Sequence, residues 1–216
     1  MRVDHLAEVD AIDKLFGGWA GTRLNFATDA AGNFRDETGS SRGLNFGETD
    51  RILLSRFRRQ SDLIITDAAT ARAEKYQSSK HAPIAVFSAS GNFTGLSRLL
   101  EDSRNFKIVP APIASVGSAA SQDVFEPRLD LRKAFQDLKS QGFQQILLET
   151  GPNLSRQLIR QGLVGQMCLT TAKHSSTAKE QAPYAGDPPP KNGETESPES
   201  PGIELLGAQS FRRSKV

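Results

Sequence analysis

The sequence predicts an α/β fold of one domain, with a mostly parallel central sheet flanked by helices, and three observations carry that expectation. Short apolar runs such as Leu63-Ile64-Ile65 and Ile146-Leu147-Leu148 alternate with amphipathic segments, the pattern of strands joined by helical crossovers. The chain has 216 residues, enough for one domain with a substantial hydrophobic core. Its composition, 37 % hydrophobic and 24 % charged, is that of a somewhat polar globular protein.

Leu6, Val9, Ile12 and Phe16 are spaced for an opening helix, and Thr22 to Ala27 reads as the first strand. The glycine-rich, polar stretch from Thr28 to Gly47 reads as a long loop of the kind that often carries function. Thr49 is placed to cap a helix that turns Ile52, Leu53, Leu54 and Phe57 inward. Leu63 to Ile65 is a buried strand, followed by a short helix over Ala69 to Tyr76. Pro83 to Phe87 is the next strand, with the proline confined to its start because it has no N–H for the ladder. Leu96, Leu99 and Leu100 mark a short helix, and Lys107 to Val109 a strand. Asp130 opens the clearest helix, with Leu131, Ala134, Phe135 and Leu138 on one stripe and Gly142 as its left-handed stop. Ile146 to Leu148 is a wholly apolar strand, then a helix runs to Gly162 with Leu154, Leu158 and Ile159 inward, and Met167 to Thr171 makes a further strand. From Pro183 to Pro201 the chain carries six of its eleven prolines among Gly, Glu, Ser and Lys, so a mobile loop is expected there. Ile203 to Leu206 reads as a strand returning to the sheet.

The formal net charge is only +2, which calls for neither nucleic acid nor an anionic membrane as partner. The one cysteine, Cys168, excludes an internal disulfide and a Cys-rich zinc site, and its apolar neighbours mark a buried thiol. No run approaches the roughly 20 apolar residues of a membrane span. The first residues lack the apolar centre of a signal peptide, so a cytoplasmic location is expected. His5, His81 and His174 are isolated, and no metal site is expected. Trp19 suits either a packed aromatic before the first strand or a ring that stacks on a ligand.

Chemistry is expected at Glu149-Thr150-Gly151-Pro152-Asn153. A buried strand delivers the chain to a tight turn there, and Pro152 fixes the first turn of a helix without wasting a donor. The N–H groups and positive dipole end of that helix then point out at the carboxyl edge of the sheet, where phosphates bind in open α/β folds. Gly151 allows close backbone approach and Thr150 offers a hydroxyl. A plain strand-to-helix turn with glycine for geometry alone reads equally from the local pattern, since neither Gly-x-Gly-x-x-Gly nor Gly-x4-Gly-Lys occurs.

The stretch from Gln145 to Leu154, with Gln161-Gly162-Leu163-Val164 after it, resembles the strand-turn-helix of the pyrimidine reductases of riboflavin biosynthesis, whose pattern is Glu-Gly-Gly-Pro-x-Leu. Asp62 to Tyr76 is similar to the family's Asp-apolar-Gly-Ala-x-Thr-x-x-x-Glu-x-Tyr segment, and Asn25-Phe26-Ala27-Thr28 leading to Gly32 to its Asn-Phe-Ser/Thr-Asp-Gly loop. The three motifs occur in the family's order, and the resemblance covers about residues 20–172. It implies a dihydrofolate-reductase-like fold over a single reductase-like domain, 1–216, with its core at 20–172; the composition adds a flexible Pro-rich loop at 173–202, where the family places compact strands, and a returning strand within 203–213. The resemblance also implies NADPH as cofactor, a homodimer, and as small-molecule substrate a phosphorylated pyrimidine whose ribosylamino group is reduced.

Carried over by position, the resemblance puts Ala68, Thr70, Ser88, Thr150, Gly151, Pro152, Asn153 and Leu154 at the cofactor and Asn25, Gly32 and Arg58 at the substrate. The family's acid just before the glycine is Ala31 here, which leaves Asp29, two residues away, as the candidate catalytic carboxylate. Asp67 stands where the family has glycine; it either repels a cofactor phosphate or caps a helix facing elsewhere. Thr150 replaces the first glycine of the pair, tolerable only where no positive φ is required, and Gly165-Gln166 replaces an acidic pair. Glu149 is expected to bond neighbouring backbone amides, and Ser40-Ser41-Arg42-Gly43 to approach substrate. Because departures gather at Ala31, Asp67 and Gly165, two alternatives stand beside the reductase: a weakened relative that binds a nucleotide without turnover, and a reductase of a different, pterin-like substrate.

Overall fold

The computed structural model describes residues 19–29, 31–34, 41, 47–111, 129–172 and 203–210, with the backbone alone at 47–49, 172 and 203–210. The expected opening helix, most of the Thr28–Gly47 loop and the Pro-rich stretch lie outside the described residues. In chain order the elements are β1 (Gly21–Thr28), α1 (Gly47–Gln60), β2 (Leu63–Asp67), α2 (Ala68–Ala73), β3 (Ile84–Phe87), α3 (Ser97–Leu100), β4 (Phe106–Ile108), α4 (Leu131–Ser140), β5 (Gln145–Leu148), α5 (Pro152–Arg160), β6 (Gln166–Ala172) and β7 (Ile203–Ser210).

The strands form one sheet in the order β4-β3-β2-β5-β1-β6-β7. Every pairing from β4 to β6 is parallel, and β7 closes the edge antiparallel to β6. The chain thus steps outward from β2 to β4 and returns to insert β5 between β2 and β1. Leu148 of β5 pairs with Ile65 on one side and Leu24 on the other, and β2 and β1 run on past this level to Asp67 and Thr28.

Alternation along the strands divides the core. Leu24, Leu63, Ile65, Ile146 and Leu148 pack with Leu131, Phe135 and Leu138 of α4 and Leu154 and Leu158 of α5. Ile64, Leu147 and Cys168 face the other way, against Leu53 and Phe57 of α1, Ala68 and Ala71 of α2, and Leu99 of α3. Because helices cover both faces, β2 and β5 have no solvent side and need no polar alternation, the reason their sequences are unbroken apolar runs.

Local chemistry sets the boundaries. Asp130 caps α4 by accepting from the Lys133 N–H (3.1 Å), and Gly142, at φ +100°, turns the chain out of it. Pro83 stands just ahead of β3, where its carbonyl accepts from Ile64 N–H (3.0 Å) and its missing donor is not called on. The helix expected over Ala69 to Tyr76 is shorter, ending at Ala73, because Lys75 adopts a positive φ of 49°. The last strand is longer than the apolar run Ile203 to Leu206 and continues to Ser210 through its backbone pairing with β6.

Candidate functional site

The carboxyl ends of β3, β2 and β5 lie side by side, so the loops after Phe87, Asp67 and Leu148 leave the sheet as neighbours. That places Ala68, Thr70, Ser88 and the turn Thr150 to Leu154 at one edge, as expected from the sequence.

Asp67 joins two of these loops. One carboxylate oxygen accepts from the Thr70 N–H (2.8 Å) and caps α2; the other accepts from the Thr70 hydroxyl (2.9 Å) and from the Gly151 N–H (2.6 Å). The helix-cap alternative for Asp67 therefore needs revision in one respect: it does cap a helix, but it faces the turn after β5 rather than away from it. The amide of Gly151 is consequently not bare. Gly151 itself has an ordinary φ of −66°, and Lys75 is the only described non-glycine residue at positive φ, so Thr150 fits its turn without strain.

The Thr150 side chain turns inward. Its hydroxyl lies 2.7 Å from Ser155 Oγ, and Ser155 also donates to the Thr150 carbonyl (3.1 Å), both residues being buried. Leu154 and Ala68 are likewise buried in the core, and Asn153 is exposed. Pro152 occupies the first turn of α5, and the N–H groups of Asn153 and Leu154 have no intrahelical acceptor by position. Ser88, nearly buried, bonds the Asn92 carbonyl (3.3 Å), and Arg72 of α2 reaches the carbonyls of Asn92 and Thr94.

On the β1 side, Asp29 is almost fully buried and organises its own loop. Its carboxylate accepts from the N–H groups of Ala31 (2.9 Å) and Asn33 (2.8 Å) and from the Asn33 amide group (2.9 Å). Gly32 takes φ +84° in this loop, a conformation that costs a side-chain-bearing residue free energy. Of Ser40 to Gly43 only Ser41 is described, and its N–H donates to Glu74 (2.7 Å).

Between these loops the face of the sheet beneath α1 is polar. Thr66 on β2, Glu149 just past the end of β5, and Asn25 on β1 stand side by side, in line with the α1-facing residues Ile64 and Leu147. Glu149 does not bond backbone amides with its side chain, as the sequence reading expected. Arg58 grips it with two bonds, Nε to Oε1 (2.7 Å) and Nη2 to Oε2 (2.5 Å), and the Tyr76 hydroxyl donates to Oε2. The Arg58 side chain is 27 % exposed and that of Glu149 only 5 %, so Arg58 stands at the rim with its fork committed inward. Burial pulls the Arg58 pKa down, but the bond and charge of Glu149 outweigh it and hold the guanidinium firmly charged. Burial, helped by the Glu149 charge, raises Tyr76 well above its ordinary value and keeps the phenol protonated. Asp50 of α1 lies close by; burial raises its pKa, the Thr170 hydroxyl opposes this, and the Glu149 charge adds to it. Asn25 Oδ1 and Thr66 Oγ1 are buried without a hydrogen-bond partner among the described residues.

Deeper in the same face, the Arg23 guanidinium sits 4.5 Å from the ring centres of Trp19 and Phe57, which settles Trp19 as a packed aromatic. Burial lowers Arg23 to about 10 and raises the Cys168 thiol to about 11, so at neutral pH the first stays charged and the second stays an inert thiol. Among the described residues no group of three or more His, Cys, Asp and Glu is arranged for a metal, and no helix is long and apolar enough to cross a membrane. Tyr76 closes one of the matched motifs, but its bond to Glu149, the place of Asp50 and the inward turn of Asp67 were not visible in sequence, because each depends on a partner from another strand or helix.

Comparison with known proteins bears on the whole arrangement. The family model described as the RibD C-terminal domain matches residues 22–173. No curated protein matches the chain. Among solved structures, a pyrimidine reductase-like protein from Corynebacterium diphtheriae is similar at 20 % identity and a TM-score of 0.67, over 94 % of this chain and 99 % of that one. A diaminohydroxyphosphoribosylaminopyrimidine deaminase/5-amino-6-(5-phosphoribosylamino)uracil reductase from Thermotoga maritima matches at 14 % identity and a TM-score of 0.64, over 88 % of this chain and 56 % of that one. The riboflavin biosynthesis reductase of Saccharomyces cerevisiae matches at 15 % identity and a TM-score of 0.55, over 77 % and 80 %. At these identities the structural likeness establishes the fold alone.

Proposed function

Because the chain belongs to the RibD C-terminal domain family, we propose that it is a reductase of the riboflavin pathway that uses NADPH to reduce the ribosylamino group of a phosphorylated pyrimidine. The observation that carries this reading is the convergence of donors at the carboxyl edge of β2 and β5. The Gly151 N–H and the N–H and hydroxyl of Thr70 all reach one carboxylate at 2.6–2.9 Å. That carboxylate acts as a stand-in anion, and a donor set of this kind suits a phosphate oxygen.

In this reading Thr70, Gly151 and the exposed amide end of α5 hold the cofactor phosphates, with Ser88 on the neighbouring loop. The cofactor, when bound, supplies the hydride. What the chain contributes is position. Effective molarities of about 10⁵–10⁸ M are reachable by orientation alone, so the site depends first on the rigidity of its loops. Asp29 makes the β1 loop rigid, and Arg58 with Tyr76 fixes the Glu149 carboxylate at the end of β5. Asn25 and Gly32 form the substrate side of the same edge. A homodimer in the cytoplasm belongs to the same reading.

The test is to mix the protein with NADPH and the ribosylamino-pyrimidine phosphate and follow the loss of reduced-nicotinamide absorbance. Oxidation dependent on the pyrimidine is the expected result. No oxidation above background by folded protein overturns the reading, and oxidation with dihydrofolate instead transfers the activity to a pterin-like substrate.

A further inference from the structure

We propose that Asp67 is the residue that sets this site's affinity for the anionic part of its ligand, because its carboxylate competes with a phosphate for the same donors. The inference rests on the reading above of a dinucleotide at this edge.

The donors in question come from two loops, and one side chain has taken all of them. Thr70 gives its N–H and hydroxyl, and Gly151 gives its N–H at 2.6 Å, the shortest of the three contacts. The Gly151 N–H belongs to the residue that caps α5, where Gly151 supplies no side chain and the first turn carries no acid of its own. The first turn of α2 likewise carries no acid. Asp67 is therefore the negative charge that answers both ends. Glu149, the other carboxylate nearby, is turned to Arg58 and Tyr76 on the α1 face.

A phosphate arriving at Gly151 meets two obstacles. The three donors it shares with Asp67 already make charge-assisted bonds, and the carboxylate that must withdraw leaves its charge within a few ångströms of the newcomer. Asp67 is half-buried, so water screens that repulsion only in part. The same contact has a structural benefit, since it ties the β2 loop to the β5 turn across 84 residues of sequence. Asp67 thus works as an internal occupant: it keeps the two loops in place without a ligand and must yield when one binds.

The experiment is calorimetric titration of the full chain and its Asp67→Asn and Asp67→Gly variants with NADPH, with inorganic pyrophosphate as a bare anion, and with adenosine as a phosphate-free control. Asparagine keeps an oxygen for the α2 cap and removes only the charge, so it carries the test should the glycine variant fold poorly. Expected is NADPH and pyrophosphate binding tighter by about tenfold or more in both variants, with adenosine unchanged and the gain shrinking as salt is raised. Equal NADPH affinity in wild type and Asp67→Asn overturns the proposal and leaves the reductase reading standing. Tighter pyrophosphate with no NADPH binding in any variant supports the role of Asp67 and overturns the dinucleotide reading. Binding of neither ligand by any variant overturns both.

Discussion

The two faces of the sheet are built from different materials. Beneath α4 and α5 the packing is mainly apolar, with Phe87, Phe135, Leu148 and Leu158 buried, the Phe87 and Phe135 rings 6.2 Å apart, and the Thr150–Ser155 hydroxyl pair at its edge. Beneath α1 the same strands bury Arg23, Thr66, Glu149 and Thr170, and α1 brings Arg58 down to meet them. An apolar face needs only volume and shape, whereas each buried polar group needs a partner or costs free energy. A fold does not need the second kind of face to be stable. In the reading proposed above, its placement at the carboxyl edge, beside the loops that carry the candidate site, makes it the working side and the α4–α5 side the scaffold, with the amide end of α5 at the edge the two share.

Substitutions sharpen this contrast. The largest expected effect is on the scaffold: Phe135→Ala removes a ring that is 2 % exposed, and by the usual cost of emptying such a site should destabilise the protein by about 4 kcal/mol in urea unfolding. Ligand binding at the carboxyl-edge loops should be unchanged in the protein that remains folded. A loss below about 1 kcal/mol means that α4 is not firmly packed and removes the scaffold half of the comparison.

On the working face the prediction has a different form, because its energy lies in a pair. Arg58→Met should cost about 3 kcal/mol by leaving the Glu149 carboxylate buried with Tyr76 as its remaining side-chain donor. The double variant Arg58→Met, Glu149→Leu should recover most of that loss, since two buried apolar groups need no partner. Equal instability of the single and double variants means that Arg58 contributes through its own packing and not through the ion pair. The Phe135 site predicts no such rescue.

The contrast also explains what could be read from sequence. Burial on both faces writes itself into the chain as unbroken apolar runs, so β2, β3 and β5 were legible from Leu63-Ile64-Ile65, Ile84 to Phe87 and Ile146-Leu147-Leu148. Local caps were legible too, because Asp130 and its target Lys133 N–H are three residues apart. The polar face was not, because its bonds join residues that only the strand order brings together. Arg58 and Glu149 are 91 positions apart, and Asp67 and Gly151 are 84. The motif residues share one edge of the sheet, but no spacing rule says that a carboxylate after β2 will reach an amide after β5. The far end of β7 was missed for a related reason: Gln209 and Ser210 have no apolar signal and are strand only because β6 offers them a backbone ladder.

Asp50 separates the two faces by pH alone. Burial raises its carboxyl pKa in the folded protein, so the fold binds that proton more tightly than the unfolded chain does. At a pH below the unfolded value of about 3.9 both states are protonated and Asp50 imposes no penalty. As pH rises from there through the folded value, the unfolded state releases its proton first, and stability falls to a lower plateau that persists to neutral pH. Asp50→Asn removes the titration while keeping a polar side chain of nearly the same size. The variant should therefore be more stable than wild type at neutral pH, and this difference should close as the solution is acidified toward pH ~4, measured by urea unfolding across the series. The remaining carboxylates act in the same way in both proteins and cancel in the comparison. A wild type more stable than Asp50→Asn at neutral pH means that the ionised Asp50 is held by a favourable partner, and the working face then has a second ion pair in place of a buried, costly acid.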